Sequence, residues 1–346
     1  MRTLLDSINV QTFAPVFVDI IKKLSLSKEL DKFQMVSGKY LCALDGSQYY
    51  SSKKVSCKHC LTKSHKNGEC THQHNALVAA LMNPKIKQVL PLMPEEIRNE
   101  DGNTKQDCEI NAAKRLIPKL KDYGLPLIIT GDALFANQSI IELCQKEGFS
   151  YMLTCKSETL IERVLKSDNL RSKEIIIKDK TYVYEWLNQV SLNYNKETIF
   201  VNYFSLKIIN NKTGEITYKN SWITDLKIEG ELMESFVEAA RSRWKIENEC
   251  FNVLKNNGYE LEHNYGHGKE FLAANYFLLT ILSHLFHQIH ELVEDTYQKL
   301  RIKKGALKVF WSDLKAAIKM IIFNDWEQLM SYLLSPPRVY ASQLMG

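Results

Sequence analysis

Several things are missing from this sequence, and each absence removes a class of protein. No uninterrupted apolar run approaches the roughly 18 residues that a membrane-spanning helix needs. The start, Met1-Arg2-Thr3-Leu4-Leu5-Asp6-Ser7, lacks the basic-then-apolar layout of a secretion signal. There is no internal repeat and no low-complexity tract. Charge of one sign is missing too: 45 Lys and Arg against 40 Asp and Glu leave a net +5, which permits an anionic partner such as nucleic acid without demanding one. A disulfide framework is also absent, because five of the eight cysteines (Cys42, Cys108, Cys144, Cys155, Cys250) lie singly in apolar or helical runs. That usage fits small buried residues in a reducing compartment.

What remains is an ordinary globular composition, 45% hydrophobic and 25% charged over 346 residues, enough for one large domain or two ordinary ones. Residues 10–24 read as an amphipathic helix with Phe13, Phe17, Ile20, Ile21 and Leu24 on one face. Residues 38–44 read as a short apolar strand ending at Asp45-Gly46, with 48–55 as its hairpin partner. Residues 74–81 read as a helix stopped before Pro84, residues 86–93 as a strand, and 94–106 as a polar loop. A helix over 106–123 should kink or split at Pro118. Residues 126–132 form a second buried strand that ends in an aspartate, Asp132, followed by a helix over 136–147 and a short strand over 149–154. An Asp closing an apolar strand is ordinarily a turn residue. Two of them in one mixed sheet would meet at one edge.

Residues 56–74 hold three cysteines and four histidines. Cys57-x-x-Cys60 has the spacing of a tetrahedral zinc site. Its second pair is open: His65 and His74, with Cys70 and His72 as alternates. Zinc held there would be structural, since four ligands close the site.

From 157 the chain turns β-rich, and from 229 it turns helical. Residues 241–263 read as one helix in which Ile246, Phe251 and Leu254 share an apolar face, with Trp244 near its edge. Arg243, Glu247 and Lys255 project from similar sides, a pattern that is usually a solvated face of ion pairs. An apolar helix follows over 271–294, and one or two more over 305–333. Residues 298–308 carry five basic residues and no acid, usually a solvated face as well.

Three stretches together resemble the DDE transposases of bacterial insertion sequences. They are Leu44-Asp45-Gly46-Ser47-Gln48, Thr130-Gly131-Asp132-Ala133-Leu134 and Arg243-Trp244-Lys245-Ile246-Glu247-Asn248, in that order with the β-rich block before the third. The likeness is to the cut-and-paste group with a β-strand insertion and a YREK signature, and it covers about residues 36–290. Cys57–Leu61 and Glu262–Gly268 also resemble a subgroup of that family.

The resemblance implies an α/β fold: an RNase H-like mixed sheet flanked by helices, interrupted by an all-β insertion, with a helical C-terminal region. The corresponding division is an N-terminal helix in 1–35, the first part of the core in 36–156 with the Cys/His hairpin at 56–74, and the insertion in 157–227. The second part of the core follows in 228–296, and C-terminal helices in 297–346. It implies Asp45, Asp132 and Glu247 as the catalytic carboxylates, holding two Mg²⁺ or Mn²⁺ ions. Arg243 and Lys255 would contact the DNA backbone, and Trp244 could stack on an unpaired base, although a tryptophan at such a place is more often a core side chain. The implied partners are the element ends and a target duplex, bound by a homodimer in the bacterial cytoplasm at the nucleoid.

The sequence departs from the family pattern in three places. Ala240 stands where the signature has tyrosine, and Glu247 and Lys255 are separated by seven residues, one more than in the signature. About 35 residues precede the first strand, fewer than the DNA-binding segment of such relatives. Glu249 competes with Glu247 for the third acidic place. Two other readings stand beside transposition: an RNase H-like nuclease without strand transfer, and a truncated DNA-binding remnant without catalysis.

Overall fold

A computed structural model describes residues 2–99, 105–193 and 196–337 of the chain. Its organising element is β1, Tyr40–Ser52, one continuous strand of 13 residues. The short strand expected to end at Asp45 and the hairpin partner expected at 48–55 are thus mostly a single element. Tyr40 to Leu44 are buried on both faces, which sustains an extended apolar run. β2, Leu61–Ser64, and β3, Cys70–Met82, follow as a hairpin, and β3 runs antiparallel to β1 with Asp45 opposite Val78. The helix expected over 74–81 is therefore a strand. Its run Ala-Leu-Val-Ala-Ala-Leu-Met carries no polar face, and periodicity alone does not separate a buried strand from a buried helix.

β3 is flanked on its other edge by two short strands, β4, Val89–Pro91, and β5, Glu95–Ile97. β5 occupies part of the stretch read as a polar loop over 94–106, of which residues 100–104 lie outside those described. β6, Leu127–Gly131, and β7, Ser150–Thr154, complete the first half, β6 parallel to β1 and β7 parallel to β6.

The β-rich block extends this same sheet. β8, Arg171–Ile177, β9, Lys180–Asn193, β10, Lys196–Asn210, and β11, Ile216–Thr224, form an antiparallel run whose last strand pairs with β7. One mixed sheet of 11 strands results, in the order β2-β3-β1-β6-β7-β11-β10-β9-β8, with β4 and β5 on β3.

Helices α1, Arg2–Ser7, and α2, Ala14–Leu26, precede the sheet. α3, Glu109–Lys119, and α4, Gln138–Glu147, link its first strands and pack on each other. Pro118 lies in the last turn of α3, where the chain tightens into a 3₁₀ turn over Leu120–Tyr123. α5, Glu158–Leu165, sits inside the block expected to be all β.

α6, Met233–Arg241, packs against β7 and β10 and leads into the segment expected to be one helix over 241–263. That segment is broken. Residues Ile246–Phe251 form a π-helical turn, and α7, Asn252–Asn256, is brief. Residues 257–271 then run without helix or strand to α8, Leu272–Val293, which lies against β1 and β4. α9, Asp295–Lys304, α10, Leu307–Met320, and α11, Trp326–Leu334, enclose a second, smaller core around Tyr297, Leu300, Phe310 and Met330. Tyr259 packs against both cores. Among the described residues no helix is long and apolar enough to cross a membrane.

Candidate acidic cleft and Cys/His cluster

β1 and β6 pair in parallel with Ala43 opposite Thr130. Asp45 and Asp132 each lie two residues beyond that pair, so they leave neighbouring strands side by side, where strands are spaced about 4.8 Å apart. β6 stops at Gly131, and the edge of β1 facing it opens at Asp45. Gly131 admits no side chain, because a Cβ there would run into the Phe135 ring. Asp132 is exposed, and its Oδ1 accepts a hydrogen bond from the Leu134 N–H at 2.8 Å, which fixes the turn leaving β6.

Glu247 reaches the same place from the π turn. Arg243 joins the two acids: its Nη2 lies 2.6 Å from Glu247 Oε1 and its Nη1 3.4 Å from Asp45 Oδ2. Glu249 faces elsewhere, beside Lys245, whose ammonium is pushed down by burial against the pull of Glu249. The arrangement therefore separates two acids that sequence spacing left in competition.

A fourth carboxylate belongs to the cleft. Glu109, in the first turn of α3, lies over the backbone of Gly46, where a Cβ would meet its Oε1. Burial raises its carboxyl above the ordinary value, and Asp132 adds to the shift. Asp45 is raised further, to about 6. Burial is the main cause, Arg243 opposes it, and Glu247 and Glu109 reinforce it. Nothing in the sequence singles out Glu109, since an acid in the first turn of a helix is common for its interaction with the helix dipole. Only the approach of α3 to β1 reveals it.

Of the other expected contacts, Trp244 is 47% exposed and lines a surface cleft with Tyr182, Tyr184 and Arg241, so it is not a core side chain. Lys255 forms an ion pair with Glu262 at 3.1 Å. The π turn explains the longer interval between Glu247 and Lys255. An α-helix turns about 100° per residue, so eight steps overshoot two full turns by about 80°. A π bulge takes up one extra residue and returns Lys255 roughly to the side of Glu247. Ala240 is buried in the main core. The basic run after α8 is largely spent inside the C-terminal helices: Lys303 donates to the Leu334 carbonyl, Lys304 pairs with Asp313, and Arg301 lies over the Phe310 ring.

The second cluster lies farther along β1 and β3. Cys57, Cys60, His74 and His267 place one ligand atom each within 4.8 Å of all the others, and could hold a metal ion such as zinc. Cys57, Cys60 and His74 were expected there, but the fourth member is His267 instead of His65. Cys70 pairs with Ser64 and His72 with Thr62, up the hairpin from His74. Strand rise puts His72 about 7 Å and Cys70 about 13 Å away along β3. His65 lies beyond β2 and contacts Thr71 Oγ1. Burial and the neighbouring His267 hold His74 down at about 4, in its neutral form. Burial pushes the Cys60 thiol up to about 11, a shift that a bound cation reverses.

No family model matches the chain, and no curated protein matches it.

Proposed function

We propose that the chain is a DNA-cleaving and DNA-joining enzyme of the DDE transposase kind, acting at the ends of an insertion sequence and on a target duplex. The observation that carries this reading is that Asp45 and Asp132 follow matching register positions on adjacent parallel strands, with Glu247 joined to Asp45 through Arg243. The strand order β3-β1-β6-β7, antiparallel at the first pairing and parallel at the next two, supports an RNase H-like core.

The charge balance supports a divalent-metal site. Arg243 is shared by Asp45 and Glu247, while Glu109 interacts with Asp132 and lies over Gly46. Burial, reinforced by neighbouring carboxylates, raises Asp45 and Glu109, an environment that a bound cation would relieve. Oxygen ligands of this kind suit Mg²⁺ or Mn²⁺. Asp45, Asp132 and Glu247 would hold two such ions, which when bound supply charge stabilisation to both the attacking and the leaving oxygens of a phosphodiester. The protein's own groups do the rest. Arg243 orients Asp45 and Glu247, and its planar fork suits a phosphate as well as a carboxylate. Lys255 adds a point charge for the DNA backbone, and the exposed Trp244 indole offers a stacking face to an unpaired base. Two element ends processed together call for two copies of the chain on DNA.

An assay with Mg²⁺ or Mn²⁺, pre-cleaved element ends and a target duplex tests the proposal. Joined product is the expected result. Hydrolysis without joining would reassign the chain to a nuclease, and binding without reaction to a DNA-binding remnant.

A further inference from the structure

The four members of the Cys/His cluster come from three distant parts of the chain: the turn 57–60, strand β3, and the segment 257–271 that follows the glutamate turn. We propose that Cys57, Cys60, His74 and His267 bind one Zn²⁺ in a closed tetrahedral site, and that this ion fastens segment 257–271 to the rim of β1 and β3.

The distances fit that ion. Zinc–sulfur bonds of about 2.3 Å and zinc–nitrogen bonds of about 2.0–2.1 Å at tetrahedral angles separate the ligand atoms by about 3.8 Å (S to S), 3.6 Å (S to N) and 3.3 Å (N to N). Cys57 Sγ and Cys60 Sγ are 3.7 Å apart. His74 Nε2 lies 3.7 Å from Cys57 Sγ and 3.3 Å from Cys60 Sγ. His267 Nε2 lies 3.7 Å from Cys60 Sγ and 2.9 Å from His74 Nε2. Two thiolates with two imidazoles in this geometry select zinc over the harder cations of the acidic cleft.

The surroundings hold each ligand in place. His267 Nδ1–H donates to the Gly268 carbonyl at 2.8 Å, which leaves Nε2 free to ligate. The Cys60 carbonyl accepts from Asn99 Nδ2 at 2.7 Å, and the Asn99 N–H donates to the His59 carbonyl, so the cysteine turn is tied to the strand beside it. Tyr50 packs edge-on against His267.

Segment 257–271 starts from an anchor, Tyr259 packed on both cores and Leu261 buried in the main one, and Tyr265 stacks on Tyr276 before His267 is reached. It lacks regular structure and passes through positive φ at Gly266 and Gly268. Its far end is secured separately, where the Asp6 carboxylate accepts from the N–H groups of Lys269, Glu270, Phe271 and Leu272 at the start of α8. A side chain at Gly268 would collide with both Asp6 and Leu272. The segment is thus held at Tyr259 and Leu261 by packing, at residues 269–272 by Asp6, and between them at His267 by the ion.

The test needs neither DNA nor catalysis, so its outcome is separable from the function proposed above. Untagged full-length protein, purified from zinc-supplemented medium, should contain one zinc per chain by elemental analysis. After exchange, Co²⁺ should give the intense visible bands of a tetrahedral thiolate site. His267→Ala should lose or greatly weaken both signals, while His65→Ala keeps them. In the unmutated protein, zinc removal should speed hydrogen exchange in residues 257–268 more than in β6 and β7, a readout that stands even if His267→Ala fails to fold. Protein that takes up no zinc, a cobalt spectrum unchanged in His267→Ala, or exchange in 257–268 unaffected by zinc removal would overturn the proposal.

Discussion

Two clusters of side chains with metal-ligand chemistry lie along strand β1. Around Asp45 the groups are carboxylates, the Glu247 side chain is half exposed, and Arg243 divides itself between Asp45 and Glu247. Around Tyr50, farther along the same strand, the ligands are thiols and imidazoles, and Cys60 and His74 are buried. In the acidic cleft Asp132 and Glu247 are exposed, while Asp45 and Glu109 are half-buried. The Cys/His cluster has enough ligands for a full tetrahedron, as suits a structural site. The first cluster therefore concentrates half-buried negative charge and the second soft donors, and the two should respond oppositely to perturbation.

The largest expected effect falls on the acidic cleft. Asp45→Ala, Asp132→Ala and Glu247→Ala should each reduce strand cleavage and joining by about a thousandfold or more, while DNA binding persists. Gel assays that separate bound, nicked and joined DNA measure this. Normal activity in any one of the three would remove that residue from the site.

Stripping the Cys/His cluster is next, and its effect is on stability. A strong zinc chelator, or Cys57→Ser, should destabilise the protein by several kcal/mol, about 2–5, since binding to the folded state alone is folding free energy. Thermal unfolding of loaded and stripped protein reads it. Asp45→Asn should do the reverse. Burial, against the pull of Arg243, lifts the folded pKa of Asp45 to about 6 from an ordinary 3.8. The folded state thus holds the extra proton between those values, and stability falls as pH rises through that window. The ionised Asp45 costs stability at neutral pH, so Asp45→Asn should gain about 1–3 kcal/mol at pH 7 without added divalent cation. That gain should shrink below about pH 6 and nearly vanish by about pH 4. Denaturant titrations across pH decide it; a loss of stability at neutral pH would refute the electrostatic account.

Smaller effects sharpen the edges of the cleft. Glu109→Gln should weaken the apparent affinity for Mg²⁺ about tenfold, as loss of an outer partner does, with a lesser effect on rate at saturating metal. Titration of activity against Mg²⁺ separates the two. Smallest is Lys255→Ala, which should weaken DNA binding with little dependence on sequence and reduce the salt slope by about one. Binding isotherms at several salt concentrations measure it.

Much of the fold could be read in the sequence, and the failures have identifiable causes. The alternation of buried strands with amphipathic helices from Leu127 to Thr154 follows from apolar runs bounded by turn residues. The β-rich character of the block from residue 157 was equally plain, apart from α5 at its start. The strand over His74–Leu81 resembles a helix in sequence because a run buried on both faces has no period to betray it. The π turn at Ile246–Phe251 was invisible because hydrophobic spacing averages over a single extra residue.

The chemistry of both clusters was set by residue type alone: hard oxygen donors at Asp45, Asp132 and Glu247, soft donors at Cys57, Cys60 and the histidines nearby. Which of them meet was decided by the tertiary structure. Parallel register between β1 and β6 sets Asp45 beside Asp132. The path of 257–271 brings His267 to His74, 193 residues earlier in the chain. The packing of α3 lays Glu109 on Gly46. Spacing rules reach only as far as one helix or one hairpin. A ligand that crosses the sheet or arrives from another segment is placed by the packing of whole elements, and no local pattern encodes it.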